Sequence, residues 1–414
     1  MSDAKPFRGL RPRLDMVERV ASPPYDVMNE AEARAMVEGN PHSFLHVVRA
    51  EIDFPAGVDS HDEAVYLKGA DNLKRLQAEG ILLRDNEPSY YIYELTMAGH
   101  VQTGVIFGAS AQEYEDGLIK KHEFTRRVKE DDRAHHVDVL NANTGPVMLT
   151  YRARAGIDAL VTATQRGEAS CDFVANDGIR HRLWVVSDSD VVAALRTEFA
   201  AVEALYVADG HHRSAAGYRV RNLRRDRNPG HSGNEAYNHY LAVAFPDDQL
   251  QILGYHRAVE SLQGLSSEDF LARVAASFEV ALTDEPSPRG PHHFTMFFEG
   301  QWYSLMARAG TFPAEDPVKS LDCSILQDNL LRPILGIDDP RTAEGIDFIG
   351  GIRGTAELAR RCNSDMKVAF ALYPVTVAQL IAIADAGEVM PPKSTWFEPK
   401  LRSGMVIRSL DDSK

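Results

Sequence analysis

The sequence is poor in cysteine and has no long hydrophobic run. Its three cysteines, Cys171, Cys323 and Cys362, are odd in number, far apart and outside any CxxC pair. That excludes a disulfide framework and a structural zinc site, and it suits a reducing compartment. No apolar stretch approaches the roughly 20 residues needed to span a bilayer. The first 24 residues carry Lys5, Arg8, Arg11, Arg13 and Arg19 without the apolar core of a signal peptide, so a cytoplasmic location is expected and no membrane partner. Basic charge is also in deficit, with 45 Lys and Arg against 60 Asp and Glu and a formal net charge of -15. Such a balance opposes a surface built to neutralise a phosphate backbone, so no nucleic-acid partner is expected. Several signatures are missing too: there is no P-loop, no GxGxxG opening a helix, no HExxH and no GxSxG.

What is present is a globular composition. With 414 residues, 44% of them hydrophobic, the chain can build one large or two to three ordinary domains. "EAEARAMVEGN" (30–40) and "DEAVYLKGADNLKRLQAEG" (62–80) read as helices that stop at glycine. "SYYIYELTMAGHVQTGVIFGAS" (89–110) reads as a hairpin, and "PVMLTYRA", "RHRLWVVS", "EALYVADG", "NHYLAVAFP" and "LQILGYHRAV" as further strands. Helical patterns lie between several of them. The mixture predicts an α/β to α+β fold with a mixed sheet. After about residue 260 the pattern restarts with the helical "LSSEDFLARVAASF" and the hairpin "HHFTMFFEGQWYSLMA", so a boundary is placed near 262, giving regions 1–262 and 263–414.

Three clusters carry residues capable of chemistry. In "ALYVADGHHRSAAGYRVRNLRRDR" (204–227) an apolar strand stops at Asp209-Gly210, and a helix is expected from Ser214 onward. Gly210 would permit close approach of a ligand, the amides of the helix start would favour an anion, and Arg213 would offer a bidentate fork. Asp209 could hold a metal ion or orient a histidine, and His211 or His212 could act as acid, base or ligand. An ordinary cap and turn with exposed histidines is the competing reading. In "KKHEFTRRVKEDDRAHHVDVLNANTGPV" (120–147), a helix over 121–140 would align His122, Arg126, Lys129, Arg133 and His136 as a cationic stripe. There Glu123 is the candidate base or metal-binding carboxylate, and "NANTGP" is a polar loop feeding a strand. In "MPPKSTWFEPKLRSG" (390–404) prolines stiffen a segment presenting Lys393, Ser394, Thr395 and Lys400, which could return over the core and close a site. Tyr25-Asp26 after a rigid Pro-Pro turn and His256-Arg257 in a strand are two smaller features.

Together "ASPPYDVM", "GNPHSFLHVVRAE", "KHEFTRRVKEDDRAHH", "YVADGHHRSAA", "YHRAV" and "MPPKSTWFEPKLRSG" resemble the prokaryotic family known as domain of unknown function 1015, from Lys5 to nearly the end of the chain. The "ADGHHR" phrase is similar to the turn of the ParB/sulfiredoxin-like superfamily, which includes CTP-hydrolysing ParB proteins, sulfiredoxin and kinases of free serine. The resemblance implies a ParB/sulfiredoxin-like core with a further C-terminal α+β region. It places Asp209, Gly210, His212 and Arg213 on the phosphate-binding turn. Sulfiredoxin's reactive cysteine has no counterpart, because His211 and His212 stand in its part of the turn.

The function expected from this is a nucleotide-dependent phosphotransferase or nucleotide hydrolase acting on a small hydroxyl metabolite, with ATP, ADP or CTP and Mg²⁺ as cofactors. Gly210 and Arg213 would hold phosphate, Asp209 would bind Mg²⁺, and His211, His212 or Glu123 would take the acceptor's proton. Lys129, Lys393, Ser394 and Thr395 would complete the anion site. A nucleotide- or metabolite-binding regulator without turnover is the first alternative. A metallohydrolase using His122, His135, His136, His211 and His212 is the second.

Overall fold

Packing divides the chain into two units in the computed structural model, which describes residues 2–411. Unit 1 comprises the chain up to Lys121, Thr125–Leu250 and the chain from Pro399; unit 2 comprises His122–Phe124 and Gln251–Glu398. The boundary expected near residue 262 lies inside unit 2, because Gln251–Leu253 and Tyr255–Val259 pair with strands of that unit. The returning arm begins at Pro399, so of the residues expected to travel with it Lys400 does and Lys393, Ser394 and Thr395 do not.

Unit 1 is built on a nine-stranded mixed sheet. In chain order its strands are β1 (Ala4–Lys5), β2 (Tyr90–Met97), β3 (His100–Ser110), β4 (Ile119–Lys120), β5 (Val147–Tyr151), β6 (Cys171–Val174), β7 (Arg180–Val186), β8 (Leu205–Asp209) and β9 (His239–Pro246). Their order across the sheet is β4-β8-β5-β9-β3-β2-β7-β6, with β1 added against the end of β3. Two pairs are parallel, β4 with β8 and β5 with β9; the others are antiparallel. β2 and β3 form the expected hairpin, turning on Ala98 and Gly99, both at positive φ, as a two-residue turn matched to strand twist requires.

Five helices matter to the site: α1 (Glu63–Ala78), α2 (Arg127–Leu140), α3 (Ala155–Gln165), α4 (Ser189–Ala200) and α5 (His211–Arg227). Ile157 and Val161 of α3, Leu195 and Phe199 of α4 and Ala215 of α5 bury one sheet face together with Tyr90, Ile92, Val105, Phe107, Leu149 and Val207. A second core forms from Phe44, Leu45 and Val47 with Leu73 and Leu76 of α1, Leu140 of α2 and Ile407 of the returning arm.

In unit 2 the strands continue as β10 (Gln251–Leu253), β11 (Tyr255–Val259), β12 (Phe278–Leu282), β13 (His293–Phe298), β14 (Gln301–Ala307), β15 (Ile346–Gly350), β16 (Val368–Ala371) and β17 (Trp396–Glu398). Six make an antiparallel sheet in the order β12-β14-β13-β16-β11-β15, and β10 pairs with β17. The β13–β14 hairpin turns on Glu299 and Gly300, again both at positive φ. The chain is therefore a mixed α/β structure with additional antiparallel sheets, of α+β character. Among the described residues no helix is long and apolar enough to cross a membrane.

Candidate functional site

The turn from β8 to α5 sets the site. Leu205, Tyr206, Val207 and Ala208 are buried, and a register shift against β5 between Val207 and Asp209 ends the regular pairing. Gly210 follows at φ 95, a backbone conformation that L side chains rarely adopt, and it serves as the N-cap of α5. The guanidinium of Arg213 folds back over it, so that a Cβ on residue 210 would lie 3.1 Å from Arg213 Nε. The helix thus starts at His211, three residues before the expected Ser214, because glycine supplies the tight entry. The first backbone bond runs from Ser214 N–H to Gly210 O at 2.9 Å.

Beside this turn lies a narrow cleft that opens to solvent. α2 contributes Arg133 and His136, the loop before β5 contributes Asn143, Thr144 and Gly145, and α5 contributes Arg213. Tyr25, Tyr240 and Ser403 complete the polar lining. The loop and the arm are fixed by backbone pairing: Ser22 and Ser403 exchange N–H to O bonds at 3.0 and 2.9 Å, and Asn143 pairs with Arg408. Arg49 Nη1 holds the Tyr25 and Met28 carbonyls at 2.8 Å each. Gly145 keeps the floor open, since a Cβ there would meet Ser403 Oγ at 3.3 Å and Arg213 Nη1 at 3.6 Å.

The charges at this cleft are unequal. Arg133 forms a two-point pair with Asp132, Nε to Oδ2 at 2.8 Å and Nη2 to Oδ1 at 3.0 Å, and lies over the Tyr25 ring at 4.2 Å. Burial works to raise the Asp132 carboxyl, yet Arg133 and the Tyr66 hydroxyl at 2.6 Å hold it below the usual carboxylate range. Arg213 donates Nη1 to the Pro146 carbonyl, and among the described residues no carboxylate forms an ion pair with it. Burial, and then Arg133, push His136 down to about 3, so its imidazole is neutral; burial and Asp26 push Tyr25 up to about 12, so its phenol keeps its proton. The cleft therefore has two guanidinium groups, one compensating acid, and hydroxyl and amide donors around them.

The rest of α5 is balanced differently. Arg219 pairs with Glu130 at 3.1 Å and with Asp131, Arg224 with Asp138 at 2.8 Å, Arg227 with Asp138 at 3.1 Å, and Arg221 with Glu115 at 2.6 Å. The basic run is mostly a seam fastening α5 to the acidic side of α2. Arg213 stands apart from it.

The family model described as "Protein of unknown function (DUF1015)" matches residues 4–324. The chain belongs to the DUF1015 family. No curated protein matches the sequence. Among solved structures, a conserved hypothetical protein from Pyrococcus furiosus is 14% identical with a TM-score of 0.33, covering 71% of this chain and 90% of its own. A free serine kinase solved with AMP is 13% identical with a TM-score of 0.36, covering 71% and 86%. SbnI from Staphylococcus aureus is 12% identical with a TM-score of 0.40, covering 75% and 90%. At such scores no residue role is carried over from them.

This DUF1015 chain places the residues expected from sequence as follows. Asp209 Oδ2 accepts from Lys400 Nζ at 2.9 Å, so the carboxylate expected to hold Mg²⁺ already holds an ammonium. Burial works to raise Asp209, but the charges of Lys400 and Arg213 keep it well below the usual range. His212 Nε2 accepts the Arg126 N–H at 3.1 Å, and His211 is buried. His122 and Glu123 precede α2, which begins at Arg127, and belong with unit 2, where Met390 N–H donates to His122 O at 2.8 Å. The expected stripe is therefore cut short. Arg133 and His136 line the cleft, Lys129 is exposed one turn earlier, and His135 pairs with Glu63 at 2.6 Å.

Lys393, Ser394 and Thr395 belong to unit 2, where Ser394 Oγ donates to Pro391 O at 2.6 Å; they do not line the unit 1 cleft. Sequence reasoning passed over Ser403 and the neutral state of His136. The second follows from burial first and Arg133 next, and only the Arg133 neighbour three positions earlier is visible in the sequence.

Proposed function

We propose that the unit 1 cleft binds the phosphate of a nucleotide-like small molecule, and that it hosts phosphoryl transfer to a hydroxyl acceptor or phosphate hydrolysis. The observation that carries this is Arg213: a guanidinium lining a cleft, beside Arg133, with no acid at ion-pair distance among the described residues and Asp209 acting on it only from further away. Arginine forks match phosphate oxygens, and positioned cations do most of the work in phosphoryl transfer. In this proposal Asp209, Gly210, His212 and Arg213 form a ParB/sulfiredoxin-like phosphate turn, with ATP, ADP or CTP as the candidate ligands. The acceptor's oxygen would form the new bond to phosphorus as the bond to the leaving phosphate breaks, and its proton would pass to solvent at the cleft's open mouth. Any Mg²⁺ would arrive with the nucleotide, because Lys400 occupies Asp209.

One observation favours a second reading, a binding protein without turnover. A carboxylate held as low as Asp209 is a weak base. The two readings separate in one experiment: thermal unfolding with ATP, ADP or CTP, with and without Mg²⁺, alongside product analysis. A nucleotide at 100 times its Kd stabilises the fold by about 2.7 kcal/mol. The shift should vanish in Arg213→Ala. Full retention of the shift in that variant refutes the site, and a shift without product establishes the binding protein.

A further inference from the structure

Unit 2 has a charge of its own without a counterpart. Arg257 of β11 is 3% exposed and lies opposite Phe348 of β15 and Phe370 of β16, on an aromatic face of the sheet. Its guanidinium sits 4.8 Å from the Phe348 ring centroid and 5.8 Å from that of Tyr255. Nη1 donates to Tyr255 O and Nη2 to Lys393 O at 3.0 Å. A guanidinium has five N–H donors, so most of them lie outside these two bonds. Among the described residues no carboxylate pairs with it.

Nearby groups do not supply the missing charge. His256 Nδ1 accepts the Leu372 N–H at 3.2 Å, and burial pushes this histidine down to about 4, so it is neutral. Cys323 Sγ lies 3.1 Å from Ser394 Oγ, whose own proton goes to Pro391 O; the thiol is then the donor and keeps its proton, in line with burial pushing it up. Asp322 accepts the His292 N–H at 2.8 Å and is not paired with Arg257. Meanwhile a second cation converges on the same aromatic. Lys393 is exposed, its ammonium lies 5.7 Å from the Tyr255 centroid, and its backbone is held at φ 59, a costly conformation for a non-glycine residue. Arginine remains protonated, and a buried cation without compensation is destabilising.

We infer that unit 2 binds a compact oxyanion, the phosphate or carboxylate of a small molecule, at Arg257, with Lys393 at the exposed end of the site. The test is calorimetric titration of the full chain with inorganic phosphate and, separately, with acetate. In Arg213→Ala, which removes the unit 1 site, one binding event persists, and adding Arg257→Met abolishes it. Arg257→Lys, which keeps the charge and loses the planar fork, weakens it about tenfold. Persistence with phosphate alone identifies phosphate as the ligand group, and with acetate alone a carboxylate. The inference is overturned if Arg213→Ala and the double variant bind both anions equally, or neither. Should the methionine variant fail to fold, an unchanged affinity in Arg213→Ala/Arg257→Lys overturns it as well. Loss of binding in Arg213→Ala relative to the native chain reports on unit 1 independently.

Discussion

Lys400 and Asp209 form the contact on which the chemistry of the β8–α5 turn depends. Their side chains are 18% and 32% exposed, so the pair is neither fully screened nor fully buried. Lys400→Met removes the hydrogen-bonded partner of Asp209, leaves the more distant Arg213 as its main compensating charge, and should lower stability by about 1–2 kcal/mol, measured by urea unfolding at neutral pH. Asp209→Asn in the same background should then cost little, because the carboxylate no longer has its partner. Additive losses in that double-mutant cycle would show that the two side chains do not interact. Both residues were named from sequence, yet their pairing was not. A carboxylate beside a glycine turn reads as a metal ligand until the chain 191 positions later delivers an ammonium to it.

Elements were more legible than partners. The β2–β3 hairpin was readable because two β-branched and aromatic runs flank Ala98-Gly99, a pair suited to a two-residue turn. α5 starts three residues before its sequence pattern predicts, because His-His-Arg resembles a loop while the left-handed Gly210 lets the helix begin at once. α2 starts six residues after its sequence pattern predicts, because charge periodicity runs through "KKHEFTR" although only Arg127 onward is helical. Gly210→Ala should destabilise by about 1–2 kcal/mol from φ strain and should also displace the Arg213 guanidinium that packs over it. Both effects are measurable, as a fall in the urea midpoint and as weaker nucleotide-dependent stabilisation. A stable Gly210→Ala protein with undiminished ligand response would remove the close packing of Arg213 from the account of the site.

For the whole molecule, buried titrating groups oppose one another. Burial pushes Glu113 and Asp322 up to about 7, so the folded chain keeps protons that the unfolded chain releases; this stability is present at low pH and is lost between about pH 4 and 7. Burial pushes His136 and His181 down to about 3 and His256 to about 4, so the folded chain refuses protons that the unfolded chain binds below about pH 6.5. That stability is present above pH 6.5 and is lost as pH falls. The three histidines outnumber the two carboxyls, and His239 and His293 shift the same way. Stability should therefore rise with pH between about 4.5 and 6.5, and Asp322→Asn should steepen the rise by about 1.4 kcal/mol per pH unit. An unchanged slope would mean that Asp322 is already ionised.

The split of unit 1 across the chain also has a consequence in time. Ser403, Ile407 and the fully buried Arg408 complete its cleft and core, yet they are made only after all of Gln251–Glu398. At about 5–20 residues per second, ribosomes need roughly 7–30 s to cross that interval. Throughout it the first 250 residues wait with an unfinished core, so a chain arrested inside unit 2 lacks the cleft's closing wall and is a natural client for chaperones and proteases.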